Sequence, residues 1–212
     1  MEDKFNALVL GDYSEYSYHP LVDIDNILTG FLADCMTLKC SEDRNLLDVE
    51  SLKNYDLFIS YVDSWEKSLT QQQLSALMNF VSTGGGLLVI HNGISYQSNP
   101  EFAQMVGAKF TGHPPYQKLK FTIENTSHPI TEGLEDFEME EELYMFELAN
   151  LCQREVLMEC KNEETNSPAA WVMQYGLGRI VYLAPGHDKN SFKNSTYQEM
   201  IKRSALWAVK AL

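Results

Sequence analysis

The stretch Gly84-Gly85-Gly86-Leu87-Leu88-Val89-Ile90-His91 decides the fold class. Three glycines end whatever helix precedes them, and the apolar run that follows shows no polar alternation. A short strand without a solvent-facing side is buried on both faces, the condition of a strand inside a parallel sheet covered by helices. The spacing therefore predicts a mostly parallel α/β sheet with Leu87 to His91 at its centre.

The flanking sequence fits that frame. Upstream, Thr70 and Gln73 form a capping box, and Leu74, Leu77, Met78 and Val81 supply the inward face of a helix ending at Gly84. Further upstream, Phe5 to Leu10, Met36 to Cys40 and Asp56 to Ser60 read as strands, with a crossover helix over Leu21 to Asp34. Downstream, Asn99-Pro100 opens a short helix closed by Gly107. Leu119, Phe121 and Ile123 alternate with polar residues, as in a strand with one exposed face. Ala169 to Tyr175 and Arg179 to Ala184 flank Gly176-Leu177-Gly178 as a hairpin, which makes the sheet mixed. With no linker or repeat, residues 1–212 are expected to form a single domain.

Composition narrows the partners. The chain is 44% hydrophobic and 22% charged, an ordinary globular balance, but its net charge of −14 would repel a phosphate backbone. No nucleic acid partner is expected. No apolar run suits a bilayer, and the opening Met1-Glu2-Asp3-Lys4 lacks the features of a signal peptide. A cytoplasmic protein without membrane contact is the expectation; a homo-oligomer stays open. Cys35, Cys40, Cys152 and Cys160 form no CxxC pair and are expected to be reduced, buried thiols. Nucleotide-binding glycine motifs and a GxSxG elbow are missing, and no cysteine falls at a strand end beside a glycine-rich turn.

In an open α/β sheet, ligands bind beyond the carboxyl ends of the strands. Histidines fall at those ends: His19 after the first strand, His91 closing the central one, and His187 in Pro185-Gly186-His187-Asp188. His113 lies in the stiff loop Thr111-Gly112-His113-Pro114-Pro115. His128, beside Pro129, reads instead as a turn former. The acidic stretch Glu132 to Glu147 reads mostly as a solvated face. If Met139 to Phe146 is extended, however, Glu140, Glu142 and Tyr144 share one side; helical spacing of Met139, Leu143 and Phe146 leaves a helix as the alternative.

Gly84-Gly85-Gly86 leading to His91-Asn92-Gly93, then Gly112-His113-Pro114, His128-Pro129-Ile130-Thr131 and Gly133-Leu134 form an ordered set of short motifs. Glu142-Leu143-Tyr144, Pro168-Ala169-Ala170-Trp171, Gly176-Leu177-Gly178-Arg179, Gly186-His187-Asp188 and Trp207-Ala208 continue it. In that order and spacing the chain resembles the trehalose-utilisation, or ThuA-like, family. The resemblance implies a flavodoxin-like, class I glutamine amidotransferase-like three-layer sandwich, with a mostly parallel central sheet and an antiparallel extension. In true amidotransferases of that fold the nucleophilic cysteine sits in the turn after the central strand. Here that place reads His91-Asn92-Gly93-Ile94-Ser95, so the resemblance concerns fold and not glutamine hydrolysis.

The family is associated with the use of trehalose and related disaccharides after oxidation of a hydroxyl to a ketone. The resulting expectation is a carbohydrate-processing protein acting on a small-molecule sugar, a disaccharide or its keto derivative, by acid/base chemistry. His91, His113, Glu142 and His187 form the expected catalytic set, with His19, Tyr144 and Asp188 contacting substrate. Tyr61, Trp65, Tyr96 and Tyr116 are available to stack on a sugar ring. Two alternatives remain: a non-catalytic sugar-binding or regulatory module, and a metal-dependent hydrolase or lyase built on the same histidines. The sequence names neither a metal nor another cofactor.

Overall fold

The computed structural model describes residues 4–150 and 152–212; the opening Met1-Glu2-Asp3, where a signal peptide was judged missing, lies outside them. The first apolar run forms β1 (Phe5–Gly11). Helix α1 (Ile24–Leu32) is shorter than the periodicity suggests, because Asp23 sits at φ 67° and starts the helix late. Strand β2 (Met36–Ser41) and the one-turn helix α2 (Val49–Leu52), capped by Asp48, precede β3 (Leu57–Tyr61). Helix α3 (Gln71–Ser82) begins at the capping box of Thr70 and Gln73. The decisive stretch becomes β4 (Gly86–Ile90), and His91 begins a 3-10 helix that runs to Ser98.

Helix α4 (Pro100–Val106) ends at Gly107 in the left-handed conformation. Then follow β5 (Ala108–Gly112), β6 (Gln117–Ile123), β7 (Phe137–Glu141), β8 (Met145–Leu148) and β9 (Arg154–Lys161). Strands β10 (Asn166–Tyr175) and β11 (Gly178–Leu183) lead to the final helix α5 (Ser195–Ala208). The sequence reading did not place α2, β5, β8 or β9. The stretch Met139 to Phe146 is neither one strand nor a helix: β7 stops at Glu141 and β8 starts at Met145.

The large sheet has the order β2-β1-β3-β4-β11-β10-β9-β6-β7. The strands from β2 to β11 run parallel, and β10, β9, β6 and β7 extend them antiparallel. The β10–β11 hairpin, turning at Gly176-Leu177, joins the two parts, since β11 pairs antiparallel with β10 and parallel with β4. Strands β3 and β4 are buried at every residue, which requires cover on both faces. Leu119, Phe121 and Ile123 of β6 point inward as the alternation predicts.

Two features of this topology place the site. The chain moves outward from β1 to β2 and then returns across β1 to β3, so the strand order reverses between β1 and β3 and opens a crevice at their carboxyl ends. At the end of β4 the backbone turns sharply, with His91 at φ 47°, a conformation uncommon for a bulky residue. The turn is held by close approach: a Cβ on Gly93 would lie 1.9 Å from the Ser60 carbonyl oxygen. Ser60 donates its hydroxyl to the Gly93 carbonyl at 2.9 Å, and Asn92 donates its amide to the Tyr61 carbonyl at 3.1 Å.

Candidate functional site

The loops after β1, β4, β5, β7 and β11 bring His19, His91, His113, Glu142 and His187 together. Glu142 is the hub. Its Oε2 lies 3.3 Å from His91 Nε2, 3.2 Å from His187 Nδ1 and 3.7 Å from His19 Nε2, while Oε1 lies 3.6 Å from His113 Nε2. The imidazoles also meet one another, His19 Nε2 lying 3.2 Å from His91 Nε2 and 3.3 Å from His187 Nδ1. His19, His91 and Glu142 are buried, whereas the side chains of His113 and His187 are 34% and 29% exposed and form the open side.

The second contact of each imidazole fixes its orientation. His91 Nδ1 lies 2.6 Å from the Ala184 carbonyl oxygen, which can only accept, so Nδ1 carries the proton and Nε2 turns to Glu142. His19 Nδ1 donates to Asp63 Oδ1 at 3.0 Å. Asp63 also accepts the His19 N–H at 2.7 Å and the Ser17 hydroxyl at 2.6 Å, gathering the loop after β1. Its own N–H is received by Asp12, which pairs with Arg44 at 3.1 Å.

Electrostatics follow from this packing. Burial disfavours a charge on His19, yet Asp63 and Glu142 outweigh it and raise its pKa to about 9. Burial acts to raise Asp63, but His19 brings it down to about 2. Fully enclosed His91 is pushed down to about 4 by desolvation. For Glu142, burial opposes ionisation, but the imidazoles of His187, His19 and His91 hold the carboxyl far below its usual range.

Two residues that carry the site escaped the sequence reading. Asp63 follows β3 by two residues and satisfies the strand-end rule that selected the histidines. Glu141, the last residue of β7, is fully buried and accepts the N–H groups of Gly186 and His187 at 2.7 and 2.8 Å. Desolvation pushes its pKa up to about 7, against the pull of those amides. The period-two alternation Phe137, Met139, Glu141 pointed to it. Glu140, on the other side, is exposed and does not share a face with Glu142 and Tyr144, because β7 ends between them.

Tyr144 stacks on His91 with ring centroids 4.1 Å apart. Asp188, next in sequence to His187, does not line the cavity beside the cluster and holds its own loop, accepting the N–H of Asn190 at 2.6 Å. Trp65 packs on Phe110 and Tyr116 on His187, both beside the cluster. Tyr61 and Tyr96 are core residues with no exposed surface. His128 plays the expected turn role, its Nδ1 accepting the Ile130 N–H at 3.2 Å. Cys160 is buried, but Cys35, Cys40 and Cys152 are half-buried, so the expectation of four buried thiols holds for one. No helix among the described residues is long and apolar enough to cross a membrane.

A cavity of about 240 Å³ opens onto the cluster, walled by Tyr18, Trp65, Phe110 and Tyr144 around His19, His113, Glu142 and His187. His19, His91, His187 and Glu142 each direct one donor atom inward, all within 4.8 Å of one another, and are the residues able to hold a metal ion. The arrangement can accept, donate and shuttle protons beside a bound polar group.

Solved structures share this fold. A ThuA-like protein from Bacteroides uniformis ATCC 8492 superposes with a TM-score of 0.79 at 21% identity, covering 98% of this chain and 93% of that one. Another from Parabacteroides merdae ATCC 43184 gives 0.82 at 15% identity, covering 98% and 91%. A protein described as cytoplasmic from Salmonella typhimurium LT2 gives 0.73 at 14% identity, covering 96% and 99%. No curated protein matches the sequence. The trehalose-utilisation profile matches residues 7–208, nearly the whole chain and every element of the site, and the protein therefore belongs to the trehalose-utilisation (ThuA) family.

Proposed function

We propose that this chain is a cytoplasmic carbohydrate-processing enzyme that acts on a disaccharide or its keto derivative by acid/base chemistry in the cavity beside Glu142. One observation carries the reading: the cavity combines aromatic walls with imidazole and carboxylate groups, and its described lining contains no lysine or arginine. Aromatic faces suit the apolar face of a sugar ring, and imidazole and carboxylate suit hydroxyl and carbonyl groups. A phosphorylated ligand would meet the repulsion of a chain carrying −14 charges without a basic clamp.

At about 240 Å³ the cavity is smaller than the roughly 300–1,000 Å³ of common ligand pockets, so it takes one ring, with the second ring of a disaccharide across the mouth near Tyr18 and Tyr116. His113 is the proton carrier at the open side, and His91, His187 and Glu142 complete the reacting set, with Tyr144 stacked on the ring of His91. The parallel order β2-β1-β3-β4-β11 supports a flavodoxin-like, amidotransferase-like arrangement. The turn after β4 presents His91 and no thiol, which favours a sugar reaction over glutamine hydrolysis.

The test incubates the protein with trehalose, its keto form and glutamine, measuring binding by calorimetry and product by chromatography. Binding and turnover of a sugar, the keto form foremost, is the expected result. Ammonia release from glutamine, or tight binding confined to another ligand class, overturns the reading.

A further inference from the structure

The four inward atoms of the cluster all lie within 4.8 Å of one another, and five of their six separations come close to those of ligands on one ion. Atoms bound to a tetrahedral zinc-like centre at about 2.0–2.1 Å lie roughly 3.3–3.4 Å apart. The separations between His19 Nε2 and His91 Nε2, and between His19 Nε2 and His187 Nδ1, are 3.2 and 3.3 Å. Glu142 Oε2 stands 3.3, 3.2 and 3.7 Å from His91, His187 and His19.

The centre enclosed by these atoms calls for one positive charge, which either a proton on His19 Nε2 or a metal ion would supply. The Nδ1 protons of His91 and His19 are committed to the Ala184 carbonyl and to Asp63, so in the neutral rings both Nε2 atoms present lone pairs to each other. Both also face the carboxylate, whose buried Oε2 receives no hydrogen bond. Converging lone pairs with an unsatisfied buried oxygen repel unless positive charge lies among them. The outer contacts match what metal-bound histidines use: a carboxylate on His19 and a backbone carbonyl on His91, each fixing the tautomer that turns the other nitrogen inward.

We propose that His19 Nε2, His91 Nε2, His187 Nδ1 and Glu142 Oε2 bind one divalent transition-metal ion. Imidazole and carboxylate donors without thiolate select zinc, cobalt, nickel or iron over calcium and magnesium, which prefer all-oxygen ligands. The inference goes beyond the carbohydrate reading and does not rest on it. With an ion in place, His113 lies outside the donor set on the cavity side as the remaining proton carrier, and the ion supplies a Lewis acid for a substrate oxygen.

The experiment strips the 212-residue chain with a chelator and titrates it with Zn²⁺ and separately with Co²⁺, reading stoichiometry by elemental analysis, the visible spectrum of bound Co²⁺ and the melting temperature. Expected are one ion per chain, absorption bands of a four-coordinate N/O site and a raised melting temperature. Glu142→Gln and His187→Ala, checked for folding by circular dichroism, should lose the spectrum. Asp63→Asn should weaken affinity by about 10- to 100-fold, since it removes only the outer partner of His19. Two results overturn the site. One is a folded wild-type chain that takes up neither Zn²⁺ nor Co²⁺, a proton on His19 then filling the centre. The other is uptake unchanged when Glu142→Gln and His187→Ala are combined. Neither readout depends on any sugar.

Discussion

Glu141 and Glu142, adjacent in sequence, grip the same residue from two sides. Glu141 accepts the backbone N–H of His187 at 2.8 Å, and Glu142 Oε2 lies 3.2 Å from the Nδ1 of its ring. One carboxylate sets where the loop after β11 runs, and the other sets where its imidazole points. The division follows from the end of β7, since Glu141 is its last inward residue and Glu142 begins the turn beyond it.

Glu141→Ala is therefore expected to act on stability and on the site together. The N–H groups of Gly186 and His187 lose their acceptor in a buried place, a cost of about 1–3 kcal/mol. Chemical denaturation should show that loss and calorimetry a weakened ligand. Unchanged stability with unchanged binding would remove Glu141 from the design.

Substitutions within the cluster are expected to separate chemistry from folding. His113→Ala, His187→Ala and Glu142→Gln should each lower turnover of the sugar substrate by roughly 100-fold or more, the scale of losing a positioned acid or base. His113 is partly exposed and outside the donor set of the proposed ion, so His113→Ala should keep a melting temperature near wild type, whereas His187→Ala should lose the stabilisation that the bound ion adds. Full turnover by His113→Ala would exclude it as the proton carrier.

Gly93→Ala is expected to be among the most damaging single changes. Its Cβ would sit 1.9 Å from the Ser60 carbonyl oxygen, a backbone atom of a fully buried strand. Overpacking of that kind costs roughly 1–3 kcal/mol, and this contact belongs at the upper end. A variant that unfolds at the wild-type denaturant concentration would show that the β4 turn has slack.

His128 gives a pH signature away from the site. Burial lowers its pKa below the ordinary histidine value, and its Nδ1 must stay unprotonated to accept the Ile130 N–H. The unfolded chain takes up a proton near pH 6.5, roughly, before the folded one does, so protons favour unfolding. The contribution of His128 is full above that pH and falls away as pH drops through the folded pKa. Asparagine accepts the same N–H without titrating. The stability of wild type relative to His128→Asn should therefore decline on acidification; a pH-independent difference would contradict the assignment.

Replacing Cys35, Cys40, Cys152 or Cys160 singly by alanine is expected to leave turnover intact. None lines the cavity, and burial pushes the Cys160 thiol up to about 12, where it is a poor nucleophile. Loss of activity in a folded variant, measured in the sugar assay, would reveal a thiol in the reaction.

Much of this protein was legible in short windows of sequence. The apolar runs of β1, β3 and β4, the capping box of Thr70 and Gln73, and the alternation in β6 each obey physics confined to a few residues. Strand ends followed by histidine were readable for the same reason. Other features depend on contacts between distant segments. Glu140 and Glu141 are the same residue type side by side, and which one is buried was decided by where β7 pairs with β6 and stops. Asp63 gained its role only when the return of the chain across β1 brought the end of β3 against the loop that carries His19. Whether strand-end histidines converge is a matter of strand order: β1, β3, β4 and β11 are consecutive neighbours, which brings His19, His91 and His187 together, whereas Glu142 reaches them from the end of β7 at the far edge of the sheet and His113 from β5 in the separate two-stranded sheet, by loops whose course only the tertiary structure decides.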